Sequence, residues 1–173
     1  LQMSIDADIV LKDIETLIRV NSKPDGNIKI IIWKDVLGQH VLIFYISHQY
    51  PSSEEMANGV IVGVLRKERS NPNVKLFDNE MRGEAAKRIA DNSVYEVLLV
   101  NEAGYITEGS RSNVFFVKKN KVFTPPTEDV LQGVTRQKII EIIEKQNIEF
   151  AMENIAFNDI SNFESVFISG TSR

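Results

Sequence analysis

The feature that most constrains the fold is a polar segment enclosed by two apolar runs. Residues 97–100 precede it and residues 114–117 follow it. Both runs are short and rich in Val, Leu or Phe, which predicts two buried strands. The enclosed residues include Glu108, Gly109 and Ser110. Taken alone, the segment fits a polar turn whose carboxylate faces solvent, so its meaning depends on the rest of the chain.

Apolar periodicity predicts a mixed α/β chain. Helical spacing predicts helices over residues 6–20 and 77–90 and a third from about Gly133. Strands are predicted over residues 28–33, 41–46, 59–65, 94–100, 122–123 and 166–169, and the first two form a hairpin. Residues 47–55 are polar, contain Pro51 and show no periodicity. We therefore predict a linker, 48–54, between a domain of residues 1–47 and a larger domain of residues 55–173.

Composition excludes several classes of function. The net charge is −4 with no basic stripe, so nucleic acid is not an expected partner. The chain has no Cys and only two His, His40 and His48, so we expect no metal site. No apolar run approaches the roughly 20 residues that a membrane helix needs, so no membrane partner is expected. The absence of Cys fits a reducing compartment, and we expect a cytoplasmic protein.

Two Gly-Thr junctions could bind an anion. Gly133, Val134 and Thr135 open a predicted helix, where unpaired N–H groups and the positive end of the helix dipole favour phosphate. Gly170, Thr171 and Ser172 follow a predicted strand. Separately, the first junction fits ordinary helix capping and the second a turn. Together with the Glu-Gly-Ser segment, they indicate a phosphorylated ligand that also carries a group for a carboxylate to hold.

The order of these motifs resembles the class IV, or fold-type IV, pyridoxal-phosphate aminotransferases. That family includes branched-chain and D-amino-acid aminotransferases and aminodeoxychorismate lyase. The resemblance begins near Asn58 and implies a two-domain α/β fold and a homodimer. Its motifs are Lys75, Thr107-Glu108-Gly109-Ser110-x-Ser112-Asn113-Val114-Phe115, Leu131-x-Gly133-Val134-Thr135-Arg136 and Ser169-Gly170-Thr171.

The resemblance also implies a role for each matching residue. Lys75 would form the Schiff base with pyridoxal 5′-phosphate and then act as the general base. Glu108 would pair with the pyridine nitrogen, because an anion there favours the protonated ring. The remaining implied contacts are Gly133, Val134, Thr135 and Thr171 to the phosphate, the Ser172 backbone on the substrate side, and Ser110, Arg111 and Ser112 near the ring and phosphate.

Three departures from the family pattern modify these expectations. Glu80 stands five residues after Lys75, where branched-chain members usually have Tyr, which speaks against branched-chain specificity. The family's upstream phosphate-binding arginine has no match in residues 1–20, and the pattern continues past Gly170-Thr171-Ser172. We therefore expect residues 1–47 to be part of the small N-terminal domain, with a C-terminal tail missing.

The expected function is transfer of an amino group between an amino acid and a 2-oxo acid. One alternative keeps the cofactor and changes the reaction to a β-elimination of the aminodeoxychorismate lyase kind, which releases pyruvate. Another is a non-catalytic protein of the same fold. The motifs are common to both reactions and separate neither.

Overall fold

The chain forms two compact units in a computed structural model that describes residues 5–47, 50–76 and 78–171. The division lies between Tyr50 and Pro51. Three residues that the predictions mention lie outside the described residues: His48, Ser172 and Phe77, with which the predicted helix 77–90 begins. A short helix over Ser53–Asn58 begins within the predicted linker 48–54. Its capping box relies on local hydrogen bonds, which leave no trace in apolar periodicity.

The first unit is a helix and a hairpin, as predicted. Helix α1 spans Ala7–Asn21 and is capped by the Asp6 side chain. Strands β1 (Asn27–Asp35) and β2 (Gly38–Ile46) pair antiparallel. The His40 ring Nε2–H donates a 2.9 Å hydrogen bond to the Asp35 carboxylate, and the ring stacks on Trp33.

The second unit begins with the short helix α2 (Ser53–Asn58) and contains two four-stranded sheets. The first sheet holds β3 (Val62–Arg66), β4 (Glu96–Val100) and β5 (Tyr105–Gly109). Strands β3 and β4 run parallel because helix α3 (Asn79–Asn92) crosses between them. This helix buries Met81 and Ala85 against the sheet, as its periodicity predicts.

The second sheet contains β6 (Asn113–Lys118), β7 (Lys121–Thr124) and β8 (Glu149–Met152). Between β7 and β8 lies helix α4 (Val134–Lys145), which packs Ile143 against Phe115 and Val122. Ile142, the preceding residue of the helix, is exposed. The two sheets are completed by the short strand β9 (Ile155–Ala156), beside β5, and by β10 (Ser165–Ser169), beside β6.

The structure corrects the predicted boundaries at two places that matter for the site. Glu108 is the penultimate residue of strand β5 rather than part of a turn. The strand predicted over residues 59–65 begins only at Val62, because Gly59 ends helix α2 with a positive φ of 79°. Strands β5, β8 and β9 were not predicted, since they are short and mix polar with apolar residues.

Neither a membrane-spanning helix nor a metal-binding cluster is found within the described part of the chain. No helix there has the length and apolar character to cross a membrane. No group of three or more His, Asp or Glu side chains there could hold a metal ion.

Candidate active site

Glu108 is the centre of the candidate site. Strand β5 carries it into the interior, where it is 2% exposed. One carboxylate oxygen, Oε1, accepts a hydrogen bond from Arg69 Nε at 2.7 Å, and Oε2 accepts from the Leu131 N–H at 3.1 Å. Burial raises the pKa of Glu108, while Arg69 and the Leu131 N–H act to lower it. Each oxygen keeps a lone pair, so the carboxylate can accept a further donor.

Leu131, which binds Glu108, lies three residues before helix α4 and so holds the start of that helix next to the Glu108 site. Asn113 donates to the Leu131 carbonyl at 2.7 Å. A Cβ at Gly133 would lie 2.7 Å from Asn113 Oδ1, so only glycine fits this approach. Gly133 is the N-cap and offers no side-chain cap to the helix, so the N–H groups of the first turn point outward, towards any anion bound there. Val134 is exposed and Thr135 half-buried.

Ser169 adds a buried donor beside this helix start. It lies opposite Asn113 in the β10–β6 ladder, and directly paired residues place their side chains on the same face. Its hydroxyl is buried and has no hydrogen-bond partner among the described residues. Thr171, two residues further on, is exposed. The predicted contact at Ser172 lies outside the described residues.

Ser110 and Ser112 face a second buried carboxylate, Glu96, which sequence reasoning missed. The Ser110 hydroxyl donates to Glu96 Oε1 at 2.6 Å and the Ser112 hydroxyl to Oε2 at 3.1 Å. The Val97 N–H also donates to Oε1, at 2.9 Å. A Cβ at Gly109 would lie 2.1 Å from Ser112 Oγ, so glycine is required between the two serines. Both hydroxyls therefore hold Glu96, a use that the resemblance does not supply.

Lys75 lies in the loop between β3 and α3 and is exposed. Its ammonium group has no hydrogen-bond or ion-pair partner among the described residues. The loop is joined to the segment before helix α4 through Asn73, which donates to the Glu128 carbonyl at 3.1 Å. Glu80, five residues after Lys75, binds Lys67 at 2.7 Å on the surface.

Further arginines lie near the Arg69–Glu108 pair. Burial lowers the pKa of Arg82, and the nearby charges of Arg69 and Arg111 lower it further. Arg111 itself is exposed. Arg136, in the first turn of α4, is 2% exposed and donates to the Pro125 carbonyl at 2.9 Å. Burial lowers the pKa of Arg136, and the charge of Glu108 opposes that shift.

The structure thus joins some predicted residues and not others. Glu108 and the start of α4 meet through Leu131, whereas no described contact joins Lys75 or Thr171 to Glu108. Sequence reasoning missed Arg69 and Glu96 as members of this region. Glu96 had a signal, a carboxylate at the start of an otherwise apolar strand, but Arg69 lies in a charged loop with nothing to distinguish it.

The residues present fit pyridoxal phosphate, the cofactor that the resemblance implies. A buried carboxylate with spare acceptor capacity suits a protonated pyridine nitrogen. The outward N–H groups at the start of α4 and the buried Ser169 hydroxyl suit a phosphate.

Comparison with known proteins places the chain in one family. The model of the family described as Amino-transferase class IV matches residues 1–173. A Rickettsia bellii protein named as a probable branched-chain-amino-acid aminotransferase is 29% identical, over 99% of this chain and 64% of its own length.

Two solved structures have the same fold. The branched-chain amino acid aminotransferase of Thermobaculum terrenum, in its PLP form, has a TM-score of 0.75 at 21% identity, over 99% of this chain and 61% of that chain. A Legionella pneumophila protein assigned as a 4-amino-4-deoxychorismate lyase has a TM-score of 0.78 at 18% identity, over 98% of this chain and 66% of that chain. The fold is therefore fold-type IV, and the chain spans between three fifths and two thirds of the length of these three proteins. With the family match over its whole length, the chain belongs to the class IV aminotransferases.

Proposed function

We propose that the protein containing this chain transfers an amino group from an amino acid to a 2-oxo acid with pyridoxal 5′-phosphate. The observation that carries the proposal is the buried Glu108 carboxylate, held between Arg69 and the Leu131 N–H beside the open start of helix α4. When bound, the cofactor supplies the electron sink for cleavage of the Cα–H bond. Family membership supports the same assignment.

Each proposed residue has a chemical task at a stated atom. The Lys75 amine would hold the cofactor and then carry a proton from the substrate Cα. The Glu108 carboxylate would face the pyridine nitrogen and favour its protonated form. Gly133, Val134 and Thr135 would bind the phosphate through the start of α4, with Thr171 as a further donor. Ser110 and Ser112 would support the site through Glu96, which their hydroxyls hold.

The alternative is a β-elimination of aminodeoxychorismate that releases pyruvate. It would use the same lysine, carboxylate and phosphate contacts, so these residues do not separate the two reactions. Measuring amino transfer to 2-oxo acids and pyruvate release from aminodeoxychorismate on one preparation separates them. The homodimer and the cytoplasmic location stay predictions.

The decisive experiment uses the full-length protein with added pyridoxal phosphate. We expect a visible absorbance band that borohydride abolishes. Mass spectrometry of the reduced protein should then find the reduced cofactor, as a covalent label, on Lys75. The Lys75→Ala variant should lose the label, whereas Lys87→Ala, at an exposed lysine of helix α3, should keep it. Absence of the band, or a label on another lysine, would overturn the proposal and favour a non-catalytic protein of the same fold.

A further inference from the structure

Arg69 makes the one contact that joins the Lys75 loop directly to the Glu108 carboxylate among the described residues. It lies three residues after β3, in the loop that also carries Lys75. Its side chain is 6% exposed, and that of Glu108 is 3% exposed. A buried arginine needs a charged partner, and the 2.7 Å bond from Nε supplies one. The pair is thus an interior feature rather than a surface ion pair.

A second link holds the same loop from its other side. Asn73 donates to the Glu128 carbonyl and accepts from Gln132 Nε2 at 3.2 Å. Leu131, between those two residues, donates its N–H to Glu108. The connections therefore form a closed circuit: Arg69 to Glu108, Glu108 to Leu131, and the 128–132 segment back to Asn73. Lys75 follows Asn73 by two residues, so the circuit restrains the loop directly before it.

The charge of Arg69 matters as much as its position. Burial alone favours the protonated, neutral form of Glu108, and Arg69 is the strongest influence in the opposite direction. A neutral Glu108 could not favour a protonated pyridine nitrogen. Arginine suits this place better than lysine, because its guanidinium stays charged when buried and donates from a fixed planar geometry.

We infer that Arg69 is a positioning residue of the site, which holds the Glu108 carboxylate as an oriented anion and ties the Lys75 loop to it. This inference rests on the proposed function, since it assigns Arg69 a task towards the two residues on which that function depends. Arg69 acts through Glu108 and the loop, and it needs no contact with substrate.

The test compares three variants of the full-length protein. Arg69→Met removes the charge and keeps the apolar stem, and Arg69→Lys keeps the charge and loses the planar donor. Arg88→Met, at an exposed arginine of helix α3, is the matched control. For Arg69→Met we expect about tenfold weaker binding of pyridoxal phosphate, since a charged hydrogen bond is lost. We also expect kcat to fall about 10- to 100-fold, with a smaller change in KM.

Arg69→Lys should recover part of both losses, and Arg88→Met should match the wild type. A merely structural arginine would lower the melting temperature without this split between kcat and KM and without rescue by lysine. If Arg69→Met does not fold, Arg69→Lys and Asn73→Ala carry the test, because each weakens one link of the circuit and both should weaken cofactor binding. Wild-type cofactor affinity and kcat in the folded Arg69 variants would overturn the inference.

The same series separates this inference from the proposed function. Borohydride labelling of Lys75 in the wild type tests the function alone. Labelled wild type with unaffected Arg69 variants would refute only the positioning role, whereas unlabelled wild type would refute the function itself.

Discussion

Two buried carboxylates lie on neighbouring strands of one sheet and are held in opposite ways. Glu96, at the start of β4, binds two serine hydroxyls and one N–H, all neutral donors. Glu108, near the end of β5, binds a buried arginine and one N–H. Glu96 accepts three hydrogen bonds from neutral donors and keeps one free lone pair, whereas Glu108 pairs with a cation and keeps two, which suits a carboxylate that must meet another charge. The contrast separates a supporting residue from a candidate catalytic residue.

The largest expected effect comes from the same isosteric change at both positions. Glu108→Gln leaves Arg69 as a buried charge without its anion, which we expect to cost about 3 kcal/mol of unfolding free energy. Amino transfer should also be lost. Glu96→Gln keeps one carbonyl acceptor, and a serine hydroxyl can rotate to accept from the amide, so its cost should stay below about 1 kcal/mol.

Urea unfolding and an activity assay on the two full-length variants check this prediction. Equal losses of stability at the two positions would contradict the distinction between the carboxylates.

A smaller effect is expected from Gly109→Ala, which tests the hydroxyl-bound carboxylate. The added Cβ would displace Ser112 from Glu96, and overpacking of this kind costs about 1–3 kcal/mol. Adding Ser112→Ala removes the clash and should restore part of the loss. Gly83→Ala is the control, because its Cβ meets open space within helix α3 and should stabilise by about 0.5–1 kcal/mol. Thermal unfolding of the four proteins gives the result, and unchanged stability in Gly109→Ala would refute the close packing.

The smallest effect is the contribution of Glu108 to the pH dependence of stability. Its pKa is higher in the folded chain than the ordinary 4.5, so the folded state keeps its proton to higher pH than the unfolded state. Between those two pKa values, stability should therefore fall as pH rises. Urea unfolding across that window should show this contribution in the wild type and lose it in Glu108→Gln. A slope that survives in Glu108→Gln would assign it to another group.

The sequence predicted the elements better than the contacts between them. Apolar periodicity located helices α1, α3 and α4 because apolar residues recur at helical spacing in each. Helices α3 and α4 bury residues of that face, whereas no residue of α1 is buried. It could not predict that Ser110 and Ser112 turn towards Glu96, since that contact depends on the pairing of β4 with β5. Glu108 drew attention as a carboxylate between two apolar runs, but its role was assigned only through the order of motifs that the family resemblance supplies. Arg69 was missed because its partner lies 39 positions away, beyond any local pattern.

The circuit around Glu108 also bears on how this protein folds. Its hydrogen bonds join residues 39, 23 and 55 positions apart, so none can form from local structure alone. Contacts of such separation require closure of long loops, which slows folding. Strand β5 and the two loops that carry Arg69 and Leu131 must be in place before Glu108 is complete. Recovery of the Glu108 site should therefore be among the last events in refolding, and a stalled intermediate could hold native helices while its site is still open.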